Sequence, residues 1–203
     1  MLTDLPDHER WNHSIAYQRE LSELIPETAR TALDVGCGEG LLARELVKRG
    51  LAVTALDTDA ASIERARAQL SDGIDYRIAD VMTEHLREHG FDVVTCVATL
   101  HHLDLDSGLR RLSELTAPGG TVLIVGLAQA TWRELHWEAV AIAADVAARR
   151  RRQQWEHPSP TIWPPPHTYA QVREAATRIM PGSVYRRRAL WRYTLTWTKP
   201  LDR

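Results

Sequence analysis
Cysteine is scarce in this chain. Cys37 and Cys96 are its 2 cysteines in 203 residues, too few for a disulfide framework. Both fall at the ends of expected buried strands and read as small core-lining thiols. Lysine is as rare: among 25 basic residues only Lys48 and Lys199 are lysines, and neither falls near the expected site, which weakens any chemistry built on a catalytic lysine. No apolar run approaches the roughly 20 residues of a membrane span, and Met1-Leu-Thr-Asp-Leu-Pro6 lacks the basic, then apolar, pattern of a signal peptide. A soluble cytoplasmic protein is the expectation. Strong charge is missing too. A formal charge of −2 with 44% apolar residues argues against disorder and against an overall nucleic-acid binder. Internal repeats are absent, as are low-complexity segments beyond arginine and proline clusters. About 200 residues suffice for one compact domain with a full α/β core.

From Ala32 onward, apolar and β-branched runs recur as in a buried parallel sheet. Strands are expected at Ala32–Val35, Ala52–Leu56, Asp75–Ala79, Phe91–Val97 and Thr121–Leu127. Helices fit between them over Leu41–Arg49, Ala60–Leu70, Thr83–Glu88 and Ser107–Leu115, stopped by Gly50, by Ser71-Asp72-Gly73 and by Ala117-Pro-Gly-Gly120. Repeated βα units imply an α/β fold: a doubly wound, mostly parallel sheet with right-handed crossovers and helices on both faces. Its ligand sits beyond the carboxyl ends of the strands. Ahead of this region, residues 9–25 form an amphipathic helical pattern ended by Pro26, with Trp11, Asn12, His13 and Tyr17 near its start. Behind it, Ala130 to Arg152 is helical, with Leu135, Ala139, Ile142 and Val146 at helical spacing and an arginine run, Arg149–Arg152, at its end. The proline-rich run from Trp155 to Pro166 excludes regular helix or central strand. Thr168 caps a helix through Ile179, and Val184 to Thr198 reads as a final antiparallel hairpin. In its second strand Trp191, Tyr193, Leu195 and Trp197 alternate with Arg192, Thr194, Thr196 and Thr198.

The chemistry gathers at strand ends. Leu33-Asp-Val-Gly-Cys-Gly-Glu-Gly40 runs from the first strand through a glycine turn into a helix. Gly36, Gly38 and Gly40 admit backbone conformations that other residues resist and let a ligand approach the main chain. The helix start adds unpaired N–H groups and a positive dipole end. A nucleotide-like cofactor fits there. Asp57 closes the second strand, where the two oxygens of a carboxylate accept both hydrogens of a ribose diol; Thr58 follows it. Asp80 closes the third strand, positioned to accept from an adenine amino group while the Val81 N–H reaches a ring nitrogen. Singly, each aspartate is as readily a turn former or helix cap. Together, at successive strand ends, they specify an adenosine site. A nicotinamide or flavin dinucleotide also uses a glycine turn with an acid about 20 residues on, but the spacing here is Gly-x-Gly-x-Gly and no Tyr-x-x-x-Lys pair exists.

These residues, with Phe91-Asp-Val-Val-Thr-Cys-Val97, Leu100-His-His-Leu103 and Leu115-Thr-Ala-Pro-Gly-Gly-Thr-Val-Leu123, resemble the class I S-adenosylmethionine-dependent methyltransferases over about residues 30–127. The resemblance implies a seven-stranded sheet with an antiparallel last strand. It implies S-adenosylmethionine as cofactor, with Gly36, Gly38 and Gly40 facing its methionine part, Asp57 the ribose, Asp80 and Val81 the adenine and Val97 the sulfonium region. Asp34, Cys37 and Thr58 complete the candidate cofactor set. One domain over residues 1–203 follows, divided into an N-terminal helical cap (1–28), a cofactor-binding core (29–128), a helical substrate lid (129–182) and a β-hairpin (183–203).

Methyl transfer needs an acceptor aligned in line and, for a weakly acidic acceptor, a base. His101 and His102 follow the fourth strand where this fold meets its substrate, and either suits a base or a loop-shaping role. His13 and Tyr17 are further candidates, since the N-terminal helix covers the site in relatives. Glu84, His85, Glu88 and His89 share a helical face but lack a third ligand at motif spacing, and Asp104 and Asp106 are thin support for a magnesium site, so no metal is expected. The Arg149–Arg152 and Arg186–Arg188 runs read as a charged helix end and an exposed strand before they read as an RNA grip. Trp132, His136, Trp137, Trp155, Trp163 and His167 supply aromatic surfaces that suit a flat or apolar small molecule, or simply attach the lid to the sheet. A small-molecule acceptor and a monomer or homodimer are expected, ahead of protein or RNA methylation. A cofactor-binding scaffold, or a rearrangement without methyl transfer, stays open.

Overall fold
In the computed structural model, residues 5–69, 72–155 and 162–201 are described. The strands are β1 (Thr31–Val35), β2 (Ala52–Asp57), β3 (Ile74–Ile78), β4 (Phe91–Val97), β5 (Thr116–Gly126), β6 (Val184–Arg188) and β7 (Arg192–Thr198). They form one seven-stranded sheet in the order β3-β2-β1-β4-β5-β7-β6. β1 to β5 pair in parallel, and β7 runs antiparallel between β5 and β6. The chain winds outward from β1 to β3, then returns to β4, so strand order reverses between β1 and β4. A crevice opens there beyond the strand ends.

Six α-helices accompany the sheet among the described residues: α1 (Ile15–Ser22), α2 (Leu41–Lys48), α3 (Ala60–Gln69), α4 (Leu105–Leu115), α5 (Leu135–Arg149) and α6 (Tyr169–Ile179). Alternation along each strand feeds two cores. Leu33, Val35, Val94, Cys96, Val122 and Ile124 pack with Leu109 and Leu112 of α4 and Val172 and Ala176 of α6. Ala32, Val53, Ala55, Val93, Leu123 and Val125 pack with Leu21 of α1, Leu42 and Leu46 of α2, and Ile63 of α3. Among the described residues no helix is long and apolar enough to cross a membrane.

Four expectations are corrected. The helix over 9–25 shrinks to α1, because the Asn12 carboxamide oxygen accepts from the Ser14 and Ile15 N–H groups, both at 2.9 Å, and starts the helix late. Thr83–Glu88 is not helical. The Asp80 carboxylate accepts from Met82 N–H at 2.9 Å, and Glu84 reaches Arg77 at 3.0 Å, so the segment is held as turns. The Pro-Gly-Gly stop is itself strand: β5 starts at Thr116, and the Gly119 and Lys199 N–H groups bond across to Lys199 and Gly120 carbonyls. In the last strand Trp191 sits in the turn at φ 55°, and Thr194, on the face expected to be polar, is only 2% exposed because both faces of β7 are covered. The proline-rich run reaches residues 156–161, and the expected helix end includes 70–71; both lie outside the described residues.

Candidate active site
A cleft of about 1020 Å³ opens at the strand-order reversal. Its floor is the glycine loop after β1, Leu56 to Asp59 after β2, Ala79 to Val81 after β3 and Val97 to Thr99 after β4. Its outer wall carries Asn12, His13, Ser14, His101, His102, Leu127, Gln154, Trp155 and Arg192.

The loop geometry explains its glycines. Gly36 (φ 69°) has its missing Cβ position 2.0 Å from Thr99 Oγ1, and Gly40 (φ 75°) has its own 2.2 Å from the Tyr76 hydroxyl. The positive φ at both is the backbone freedom expected of these glycines, and the close packing against Thr99 and Tyr76 adds a reason that the sequence does not show. Gly40 caps α2 and does not line the cleft, whereas Gly36, Cys37 and Gly38 do. Asp57 orders the loop: Oδ2 accepts from Gly38 N–H at 2.8 Å and Oδ1 from Asp59 N–H at 2.9 Å. Asp57 lines the cleft beside Thr58 and Asp59, and its two oxygens keep further acceptor capacity. Asp80 braces its own turn, and Val81 is buried at the cleft wall.

Asp34 is the strongest electrostatic feature. It is 1% exposed; Oδ1 accepts from the Thr95 hydroxyl at 2.7 Å, while Oδ2 is buried without a hydrogen-bond partner. Burial pushes its carboxyl up to about 7 against the opposing Thr95 bond. Burial also pushes the Cys37 thiol upward and the Cys96 thiol to about 12, so neither is a thiolate nucleophile near neutrality.

The histidines separate. His101 is buried with Nδ1 unpartnered, and burial, helped by the neighbouring His102 and Arg192 charges, lowers it to about 4. His102 is exposed on the cleft wall and lowered by desolvation. His13 has a partner that sequence reading missed, Asp145 of α5: Nε2 lies 2.8 Å from Asp145 Oδ1, and Asp145 Oδ2 accepts from Arg149 Nε at 2.8 Å. Desolvation still takes His13 below its ordinary value, over the raising effect of Asp145, with Arg192 and Arg149 adding to the lowering. Trp11 and Trp191 flank its ring at 5.8 and 5.5 Å between centroids. Tyr17 does not line the cleft. Its hydroxyl donates to the Ala189 carbonyl at 2.9 Å and ties α1 to the final hairpin.

The N-terminal segment is fastened over the loop by charge. Arg44 Nε and Nη2 reach the two Asp7 oxygens at 2.7 and 2.8 Å, and Arg10 Nη1 lies 3.5 Å from Glu39, which Arg65 Nε also reaches at 2.7 Å. The Arg10 guanidinium lies 4.9 Å above the Trp155 ring, and the Trp155 backbone N–H donates to the Trp11 carbonyl at 2.7 Å. Trp155 is the aromatic of the expected lid that reaches the cleft; Trp132 and Trp163 are 75% and 69% exposed. Asp104 caps α4, Asp106 pairs with Arg178, and His89 lies 2.7 Å from Lys199 Nζ. Asp145 was hidden in an alanine-rich helix, and Arg192 in an alternating strand. Neither belongs to a motif.

Such a glycine loop, acidic strand ends and reversal crevice define a nucleoside-cofactor enzyme of the Rossmann-like class. The chain belongs to the class I S-adenosylmethionine-dependent methyltransferases. The family described as "Methyltransferase domain" matches residues 33–124. An uncharacterized methyltransferase of Mycobacterium tuberculosis is 38% identical over 193 residues, covering 94% of this chain and 98% of that one. A ubiquinone biosynthesis O-methyltransferase of Pseudomonas paraeruginosa is 42% identical over 101 residues, 47% of this chain and 43% of its own length. Among solved structures, a methyltransferase from Methanosarcina mazei superposes with TM-score 0.65 at 16% identity, covering 90% of this chain and 98% of that one. A Haemonchus contortus phosphoethanolamine N-methyltransferase, solved with S-adenosylhomocysteine, gives TM-score 0.62 at 18% identity, covering 94% and 53%.

S-adenosylmethionine is thus the cofactor. The residues fit it: a turn whose Gly36 and Gly38 carry no side chain, a carboxylate at the end of β2 and a buried Asp34 oxygen lacking a hydrogen-bond partner all belong to one crevice.

Proposed function
We propose that the chain methylates a small-molecule acceptor seated against the outer wall of the cleft, with His13 as proton acceptor and Asp145 as the residue that orients it. The carrying observation is the 2.8 Å His13–Asp145 contact at the cleft. With Nε2–H donated to Asp145, the lone pair on Nδ1 is left to take a proton from an acceptor hydroxyl or amine. His13 is held below its ordinary range, so it is neutral and ready at neutral pH. His102 is exposed, and among the described residues no carboxylate hydrogen-bonds to it, the Asp57 charge acting only at a distance, which ranks it second. Asp34, the loop from Gly36 to Gly38, Asp57 with Thr58, Asp80 with Val81, and Val97 hold the cofactor. Gly40 acts through the helix start. When bound, S-adenosylmethionine would supply a methyl group on a positively charged sulfur, an activated leaving group for an acceptor lone pair aligned in line with it.

Half the chain aligns with O-methyltransferases named for ubiquinone biosynthesis, and Trp155 offers a flat wall; both support an aromatic acceptor. The test begins with a panel of phenols, quinols and amines screened for transfer of labelled methyl. On the acceptor found, His13→Gln is predicted to lower kcat by about 10²-fold or more with S-adenosylhomocysteine affinity unchanged. Asp145→Asn should lower kcat less and move the acid limb of the rate profile to lower pH, because Asp145 raises His13. Normal turnover in His13→Gln would remove the base assignment.

A further inference from the structure
Arg192, at the start of β7, is the cation of the outer wall, and its partners are all neutral. Nε donates to the Ser14 hydroxyl at 3.0 Å, and Nη1 to the Leu190 and Trp191 carbonyls, each at 3.3 Å. Among the described residues Nη2 has no partner and no carboxylate lies within 4.0 Å of the guanidinium. Other inward arginines of this chain are treated differently. Arg44 has the two oxygens of Asp7, Arg10 has Asp7 and Glu39, and Arg65 has Glu39 and Asp59.

A guanidinium half-withdrawn from water without a counter-ion is costly, and the N–H groups left on Nη2 suit a charge-assisted hydrogen bond to a carboxylate or phosphate oxygen. Tying Ser14 to the hairpin turn explains Nε and Nη1. It explains neither the idle Nη2 nor the missing carboxylate. The charge sits beside the acceptor chemistry, since it acts on both His13 and His101. Burial itself draws Arg192 down to about 10, with no acidic group among the opposing influences, only Tyr169 and Tyr17.

We infer that Arg192 is the anion-binding residue of the acceptor subsite, so that the methyl acceptor carries a carboxylate or phosphate group held by its guanidinium. The inference rests on the methyltransferase reading of the cleft, and the experiment keeps the two apart. Calorimetry on the full chain saturated with S-adenosylhomocysteine would compare benzoate, phenyl phosphate and the neutral isostere benzamide. At least one anion should bind, benzamide should bind about tenfold more weakly or not at all, and Arg192→Gln should weaken the anion by about tenfold to a hundredfold. Arg192→Lys should lie between, because it keeps the charge but loses the donors on Ser14 and the hairpin carbonyls that fix where Nη2 points. A preference for benzoate or for phenyl phosphate identifies the anion. Equal binding of benzamide, no binding of either anion, or undiminished anion binding by Arg192→Gln overturns the inference while leaving the cofactor site standing. Failure of the wild-type chain to bind S-adenosylhomocysteine overturns the methyltransferase reading instead. Should Arg192→Gln lose that cofactor product through misfolding, Arg192→Lys decides, and anion binding no better than that of benzamide counts against the inference.

Discussion

At the scale of single residues, Asp34 shows how a cofactor site costs stability. Its carboxyl is raised from 3.8 to about 7 by burial, with one oxygen lacking a donor. A carboxyl whose folded pKa is raised binds its proton more tightly when folded. Its stabilising effect is complete below about pH 4 and fades as pH rises through 7. Asp34→Asn removes the charge and keeps the shape. The variant without cofactor should therefore lose less stability than wild type between pH 5 and 8. Above pH 7.5 it should be the more stable by on the order of 2–4 kcal/mol, read as urea midpoints at several pH values. Parallel pH curves for the two proteins would show that Asp34 is not the source. Its affinity for S-adenosylhomocysteine should fall in the same variant, since the partnerless oxygen is what the cofactor site offers.

Among the elements, α5 departs furthest from the pattern of an interior helix. Leu135, Ile142 and Val146 are 65%, 55% and 46% exposed, and Ala141 is its buried residue. What α5 contributes inward is polar: Asp145 to His13, and Glu138 to the Trp191 ring N–H at 2.7 Å. Ile142→Gln and Val146→Gln should each shift stability by less than about 0.5 kcal/mol, whereas Ala141→Gln should cost more than about 1 kcal/mol by overpacking. Urea midpoints of the three variants check the order, and equal losses would mean the exposed face is covered in solution. The same contrast marks what was legible beforehand. β4 was expected at its observed bounds, and the loop with Asp57 and Asp80 was found, because runs of buried β-branched residues and turn glycines are local signals. The late start of α1, set by the Asn12 side chain, and the burial of Thr194 depend on what packs from elsewhere in the chain. Asp145 and Arg192 became site residues only when α5 and β7 met His13 and Ser14, just ahead of α1. No spacing within either segment announces that meeting.

For the molecule as a whole, the acceptor wall joins three distant segments, and their charges are coupled. His13 comes from the N-terminal region, Asp145 and Arg149 from α5 and Arg192 from β7, with Trp11 and Trp191 flanking the ring. In the free enzyme the Arg192 charge adds to desolvation in holding His13 down, against Asp145. An anionic acceptor on Arg192 neutralises that charge and lets His13 rise, so the base strengthens when its substrate arrives. The sign is definite. The acid limb of kcat, which reports the bound complex, should lie at higher pH than the acid limb of kcat/KM, which reports the free enzyme. In Arg192→Gln the lowering charge is gone before binding, so the kcat/KM limb should move up. Measured on the acceptor from the methyl-transfer screen, limbs that coincide in the wild-type enzyme, or a kcat/KM limb that stays in place in Arg192→Gln, would disconnect the arginine from the base. A limb that moves up would show one wall doing two tasks, gripping the acceptor and setting the proton affinity of the group that activates it.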